Sequence, residues 1–246
     1  MKNDNREVVF GLRPVMEALQ SEKEIERIYI QRESGSSVVG ELLSLAAELH
    51  VPVIKVPIEK LNNITRKNHQ GVICFISPIS YGSLDNVISE TFQKGKMPLI
   101  LILDRITDVR NFGAISRTAE CLGAHGIVIP SRGAAEINSD AVKTSAGALN
   151  YIPVIREDNL KNTIDFLKES GLSIVSCTEK ADKFVYQADL NRPLAIIMGS
   201  EENGISPEYL KKSDERVKIP QYGKIDSLNV SVAAGIVLSE VIRQRI

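Results

Sequence analysis

The chain has 246 residues, 43% hydrophobic and 25% charged, with a formal net charge of -1. Such a chain reads as an ordinary soluble globular protein with one large domain or two smaller ones, and its near-neutral charge argues against a purely charge-driven nucleic-acid binder. The polar start, Met1-Lys2-Asn3-Asp4-Asn5-Arg6-Glu7, and the lack of any apolar run near the roughly 20 residues that span a bilayer predict a cytoplasmic protein with no membrane partner.

Residues 1–77 alternate strand and helix signals. Ile25–Ile30 reads as a strand, Val38 to Leu49 carries apolar residues at helical spacing, and Val51–Val56 and Val72–Ile76 are β-branched runs that read as strands. Pro78, Gly82, Gly95 and Pro98 mark residues 78–97 as a linker with one weakly helical piece near Asp85–Phe92. A second α/β unit, residues 98–246, opens with the fully apolar strand Leu99–Leu103, as in a parallel sheet covered on both faces. The helix after it holds Ile115, Ala119 and Leu122 on one face and stops at Gly123. Ile127–Ile129 is the next strand, and Asn138-Ser139-Asp140 predicts a helix through Leu149. A helix from Asp158 to Ser170, strands Leu172–Ser176 and Leu194–Met198, a short helix after Ser206, strand Arg216–Ile219 and a last helix from Leu228 to Arg243 complete the unit. Strands alternating with helices predict a mostly parallel sheet.

Cys74, Cys121 and Cys177 are widely scattered in apolar segments and read as buried small side chains. His50, His69 and His125 are equally scattered, so no metal is predicted.

Three polar loops follow apolar strands. The first, Asp104 to Gly113, leads into a helix with Arg117. At about 3.6 residues per turn, Asn111 and Arg117 converge only if Asn111 lies in the loop and the helix starts near Gly113. The second, Gly199-Ser200-Glu201-Glu202-Asn203-Gly204, precedes Ser206-Pro207, a suitable N-cap and first helical position. Its two carboxylates would repel a triphosphate, and Ile205 stands where a phosphate-binding loop needs lysine. The loop suits a neutral or cationic ligand, or an acidic role in chemistry. The third, Ile219 to Ser231, enters a helix that is apolar nearly all round and therefore expected to be buried on most sides. Each loop also has a plainer reading, as a surface turn or helix cap. Their shared position at the carboxyl ends of strands, where open α/β sheets bind ligands, points to one composite site.

Asn111-Phe-Gly113-Ala-Ile-Ser-Arg117, Met198-Gly199-Ser-Glu201-Glu-Asn-Gly204 and Ile219-Pro-Gln-Tyr-Gly-Lys-Ile-Asp-Ser227-Leu228-Asn229-Val-Ser231 resemble motifs one, two and three of the SpoU/TrmH branch of the SPOUT RNA 2′-O-ribose methyltransferases. Val9-Phe-Gly11-Leu-Arg13-Pro-Val15 and Asn68-His69-Gln70-Gly71-Val72 resemble the family's small ribosomal-protein-like substrate-binding domain. The resemblance is strongest to the members that methylate a guanosine of bacterial large-subunit ribosomal RNA.

The resemblance implies an α/β fold with a trefoil-knotted methyltransferase domain and a small N-terminal α/β domain. It implies S-adenosylmethionine as methyl donor, bound by backbone near Met198, Gly199, Gly204, Ile219 and Leu228, with Thr178-Glu179 bordering the adenine. It also implies a homodimer packed through the knot helices, which the small residues of Ser231–Gly235 would suit. The family assigns activation of the 2′-hydroxyl to the arginine matched by Arg117. A guanidinium is a poor base, so Arg117 is expected to stabilise the incipient alkoxide while a substrate phosphate relays the proton. Asn111, Glu201, Ser227 and Asn229 would orient Arg117 and the ribose. DNA lacks the 2′-hydroxyl and is not expected as a substrate. Arg13, Arg66, Lys67 and His69 are candidate RNA contacts, with ordinary surface charge as the competing reading.

Three alternatives stay open: the same chemistry on transfer RNA, a non-catalytic RNA-binding homologue, and a nucleotide-binding oxidoreductase. The full set Asn111, Arg117, Glu201, Ser227 and Asn229 weighs against the second. The lack of G-x-G-x-x-G after the first strand of either unit weighs against the third.

Overall fold

The computed structural model describes residues 7–21, 23–32 and 36–246; Met1–Arg6, most of the polar N-terminal stretch, lie outside the described residues. The chain divides into two compact units, one running to Ser80 and including Ile137–Ser139, the other formed by the rest.

In the first unit, strands β1 (Val8–Phe10), β2 (Ile25–Gln31), β3 (Val53–Val56) and β4 (Val72–Ile76) form a sheet of order β1-β4-β2-β3, with β2 and β3 parallel and the other pairs antiparallel. Side chains alternate across a strand. Ile28, Ile30, Val72 and Cys74 therefore meet Val15 and Leu19 of α1 (Leu12–Gln20) and Leu42 and Ala46 of α2 (Ser37–Glu48). Tyr29, Ile73 and Phe75 face the other way, onto Leu61 of α3 (Ile58–Ile64). Ser36 caps α2 by accepting from Val39 N.

The second unit is built on seven parallel strands: β5 (Leu99–Asp104), β6 (Gly126–Pro130), β7 (Val154–Glu157), β8 (Ser173–Cys177), β9 (Lys183–Phe184), β10 (Leu194–Gly199) and β11 (Glu215–Lys218), ordered β7-β6-β5-β10-β8-β11-β9. Every residue of β5 is buried, as its unbroken apolar run requires. Ile100, Ile102, Ile174 and Ile197 pack with Leu84 and Ile88 of α4 (Leu84–Gln93) and with Ile164 and Leu167 of α7 (Leu160–Glu169). Leu101 and Leu103, also buried, serve the opposite face. Helices α5 (Val109–Cys121) and α9 (Val230–Arg245) pack on one another, and α9 reaches β10. Two short helices, α6 (Ser139–Thr144) and α8 (Pro207–Lys212), complete the unit. None of the described helices is long and apolar enough to cross a membrane.

Two expectations change. The stretch 78–97, read as a linker with a weak helical piece, holds the ten-residue helix α4, whose Leu84 and Ile88 are core residues. The helix expected through Leu149 ends at Thr144. Ala146 (φ 50°) and Gly147 (φ 88°) then turn the chain out of the right-handed helical region, and a single 3₁₀ turn follows at Ala148–Asn150.

Successive crossovers place β6 on one side of β5 and β10 on the other. On the far side of β10 lie β8 and β11, so the loops that follow these three strands sit side by side at the carboxyl edge of the sheet. The register pairs Gly199 with Asp104 at that edge.

Candidate active site

A cleft of about 340 Å³ opens at that edge, lined by loops that follow three neighbouring strands. Thr178, Glu179 and Lys180 follow β8, Gly199–Ile205 follow β10, and Ile219, Gln221 and Asp226–Leu228 follow β11. Met198 at the end of β10 and Val230 and Ala233 of α9 also line it. The residues expected to hold a cofactor, Met198, Gly199, Gly204, Ile219, Leu228 and Thr178, all border this one space. So do Glu201 and Ser227.

The β10 loop folds back tightly. Gly204 (φ 63°) donates its N–H to Ser200 O at 2.8 Å, and Ser200 Oγ accepts from Asn203 N at 3.2 Å. A Cβ on Gly199 would lie 2.2 Å from Gly204 C and 2.3 Å from Ile205 N, so this position admits glycine alone without moving backbone.

Beside the cleft, three polar side chains distant in sequence meet. Glu201 Oε1 accepts from Asn111 Nδ2 at 3.1 Å and from Asn229 Nδ2 at 2.8 Å. Asn229 Nδ2 also donates to Asn111 Oδ1 at 2.9 Å. The orientation of Asn229 is set by α9, which it caps: its Oδ1 accepts from Ser231 N at 2.9 Å and Ser231 Oγ at 2.6 Å. Asn229 is thus the N-cap of α9, and Ser227 lies in the loop before it.

Asn111 arrives differently from expectation. Asp108 caps α5 by accepting from Asn111 N at 2.8 Å, so the helix begins at Val109 and Asn111 sits in its first turn. Asn111 and Arg117 share one helix, six residues and about 120° apart. Arg117 is exposed, does not line the cleft, and makes no hydrogen bond or ion pair among the described residues. Within one chain the structure gathers Asn111, Glu201 and Asn229, puts Ser227 on the cleft wall, and leaves Arg117 outside.

Four carboxylates, Glu179, Glu201, Glu202 and Asp226, and one lysine, Lys180, line the space. That balance favours a ligand carrying positive charge and disfavours a polyphosphate. Burial, with Glu179 adding to it, pushes the Cys177 thiol up to about 12, so it stays protonated at neutral pH and is no nucleophile. Among the described residues no group of three or more His, Cys, Asp and Glu is placed to hold a metal ion.

Two residues at the site carried no role in the sequence reading. Asp104, 2% exposed, and Arg105 contact the far half of the β10 loop. The one signal was an aspartate ending a run of five apolar residues.

In the first unit Arg13, Arg66 and Lys67 are exposed, with Lys67 Nζ 5.7 Å from the Phe10 ring centre. His69 is not a surface contact. It is 7% exposed, its Nδ1 accepts from Gly71 N at 3.1 Å, and Nε2 pairs with Asn62 Oδ1 at 2.9 Å. With Nδ1 accepting, the ring proton is assigned to Nε2. The ring braces a turn in which Gln70 (φ 50°) and Gly71 (φ 78°) both take left-handed backbone.

Residues 98–239 match the family model described as the SpoU rRNA methylase family, and residues 8–82 match the model for RNA 2′-O ribose methyltransferase substrate binding. A Bacillus subtilis (strain 168) protein named as a TrmH family tRNA/rRNA methyltransferase, YacO, is 35% identical over 99% of this chain and 98% of its own. Among solved structures, the SpoU methyltransferase AviRb from Streptomyces viridochromogenes, in complex with AdoMet, aligns at a TM-score of 0.62 and 26% identity, covering 100% of this chain and 94% of that one. An AdoMet-bound rRNA methyltransferase from Sinorhizobium meliloti aligns at 0.60 and 25%, covering 98% and 88%. Both units and the loops of the cleft fall within these matches, and the chain belongs to the SpoU family of RNA methyltransferases.

Proposed function

We propose that this chain transfers a methyl group from S-adenosylmethionine to a ribose 2′-hydroxyl of RNA, on a guanosine of large-subunit ribosomal RNA, acting in the cytoplasm as a homodimer. One observation carries the reading: an acid-lined cleft adjoins the hydrogen-bonded cluster of Asn111, Glu201 and Asn229. The donor fits the residues present. It carries a sulfonium and an ammonium against one carboxylate, and the cleft lining carries four carboxylates against one lysine. Gly199, Gly204, Ile219 and Leu228 would hold it through their backbone, with Met198 and Thr178 flanking.

When bound, the donor supplies an electrophilic methyl group. The chain's part is to place the 2′-oxygen and to stabilise the negative charge it develops. Glu201, Asn111 and Asn229 form a rigid polar edge at which a ribose hydroxyl is oriented, and Ser227 adds a hydroxyl on the cleft wall. A cation beside that oxygen completes the chemistry. Arg117 is exposed and outside its own cleft, which supports supply of this guanidinium by the second copy. On α9, Val232 is 51% exposed with Ile236 one turn further on, so a face expected to be buried is left uncovered by its own chain. That uncovered apolar stripe, close to Arg117 through the packing of α5 on α9, suits a dimer contact. The insertion of β10 between β5 and β8, and the return of α9 onto α5, support a trefoil knot. Arg13, Arg66 and Lys67 would meet RNA phosphates, with DNA rejected for want of the 2′-hydroxyl. Transfer RNA is the second reading, because the relatives are named as tRNA/rRNA enzymes.

The test is tritium transfer from labelled donor into purified ribosomal RNA and transfer RNA, followed by digestion to nucleosides. Label in 2′-O-methylguanosine from ribosomal RNA is expected. Label confined to transfer RNA would move the substrate assignment, and no transfer to either would remove the enzymatic reading.

A further inference from the structure

Asp104 ends β5 behind the loop that walls the cleft, and its carboxylate is almost wholly buried. A buried charge is costly unless both oxygens find partners. Here Oδ2 accepts from Ser206 N at 2.6 Å, and Oδ1 accepts from Arg105 Nε at 3.0 Å. Arg105 Nη2 lies 3.4 Å from Oδ2 and donates to Gly204 O at 3.3 Å. Both anchor points, Gly204 and Ser206, belong to the loop that carries Glu201 and forms one wall of the cleft. The grip has a conformational cost: Arg105 adopts φ 59°, a left-handed backbone that few residues other than glycine take. Such strain persists only where the surroundings hold it.

We infer that Asp104 and Arg105 are positioning residues, a latch that holds the β10 loop in the shape that receives the methyl donor and aims Glu201. The inference rests on the donor-cleft reading above. Without the latch, the near half of the loop keeps the bonds of Glu201 to Asn111 and Asn229, while the far half keeps the buried Ile205 side chain and the Gly204 N to Ser200 O bond but loses both of its polar ties to β5. The backbone at Gly204 and Ser206 then shifts. Asparagine at 104 is no substitute. It offers one carbonyl oxygen and one amide, so either the Ser206 N–H or the Arg105 guanidinium faces a donor instead of an acceptor.

The experiment is calorimetric titration of S-adenosylmethionine into the full chain and into Asp104→Asn and Arg105→Gly, with thermal melts alongside. The wild-type chain binds. Asp104→Asn weakens binding about tenfold, the loss expected for one charge-assisted hydrogen bond, and lowers kcat at saturating donor because Glu201 is misaimed. Arg105→Gly is measured well below its melting temperature, which separates positioning from mere stability. Glycine relieves the strain at φ 59° but leaves Asp104 Oδ1 without its cation, so this variant melts below wild type; fully folded, it still binds the donor about threefold more weakly, having lost the Gly204 contact. Should Asp104→Asn fail to fold, Arg105→Gly decides alone. If wild type binds and the folded variants bind within about twofold of it, the latch is overturned and the donor cleft stands. If wild type does not bind, the donor-cleft reading fails first and the latch falls with it.

Discussion

Asn229 does two things that substitution can separate. Its Oδ1 caps α9, and its Nδ2 donates to Glu201 at 2.8 Å and to Asn111 at 2.9 Å. Loss of an asparagine cap costs about 1 kcal/mol, which lowers Tm by roughly 2–4 °C in a domain of about 150–250 residues. Serine ranks beside asparagine as a cap but has no amide to donate. Asn229→Ala should therefore melt roughly 2–4 °C below Asn229→Ser, with both below wild type because both lack the Nδ2 bonds. Both variants lose the two Nδ2 bonds. The one to the Glu201 carboxylate is charge-assisted, worth about 1.5–3 kcal/mol when buried; Glu201 is exposed, so solvent screening reduces it to about 1 kcal/mol. If that bond is needed to place the ribose, its loss amounts to about a fivefold fall in transfer rate for each variant. Scanning calorimetry and methyl transfer at saturating donor measure the two effects side by side. Wild-type turnover in Asn229→Ser, or turnover that simply follows Tm across the three chains, would refute the cluster's role.

Three further outcomes are expected. Gly199→Ala must push the Gly204–Ile205 backbone aside and should abolish donor binding in a calorimetric titration; normal affinity would show the loop to be irrelevant to the cleft. Burial, with Arg245, Lys96 and Lys94 nearby, holds His125 below its ordinary 6.5, and its Nδ1 accepts from Leu99 N at 3.1 Å. The unfolded chain then takes up that proton more readily than the folded one, so this contribution to stability is full above pH 6.5 and is lost as pH falls below it. His125→Asn, whose Oδ1 can accept the same N–H, should flatten the melting-temperature curve on the acid side of that value. His69→Ala removes the brace of the Gln70–Gly71 turn and should raise Kd for RNA several-fold with donor affinity unchanged, as filter binding and calorimetry would read.

How much of this was legible in advance depended on how local each cause is. Leu99–Leu103 and Val72–Ile76 declare themselves as strands because an unbroken apolar run needs cover on both faces. Strand β7 ends in Arg156 and Glu157, and β9 has only two residues, so neither carries a usable pattern. Helix α1 follows Gly11 (φ 94°) with no side-chain cap and has Pro14 in its first turn, and α3 is seven residues long behind Pro57. Flanking Pro and Gly made α4 read as only a weakly helical piece of a linker near Asp85–Phe92, although the four-residue spacing of Leu84 and Ile88 marks its buried face. At the site, residue types alone marked three polar loops at strand ends, and the family resemblance supplied the roles. The position of Asn111 turned on Asp108 acting as a cap, a choice that one aspartate among several does not advertise. Asp104 was silent because its partner Ser206 lies 102 residues away. Arg117 stands outside its own chain's cleft, a placement that the six-residue spacing from Asn111 on one helix sets and that the motif alone does not show.

The most direct measurement is ribose-methylation mapping of ribosomal RNA from cells that lack this chain, and from the same cells supplied with either the wild-type form or Asn111→Ala. One 2′-O-methylguanosine in large-subunit RNA should disappear without the chain, return with the wild type, and stay absent or strongly reduced with Asn111→Ala. An unchanged methylation pattern in the deletion strain, or full restoration by Asn111→Ala, would contradict the assignment.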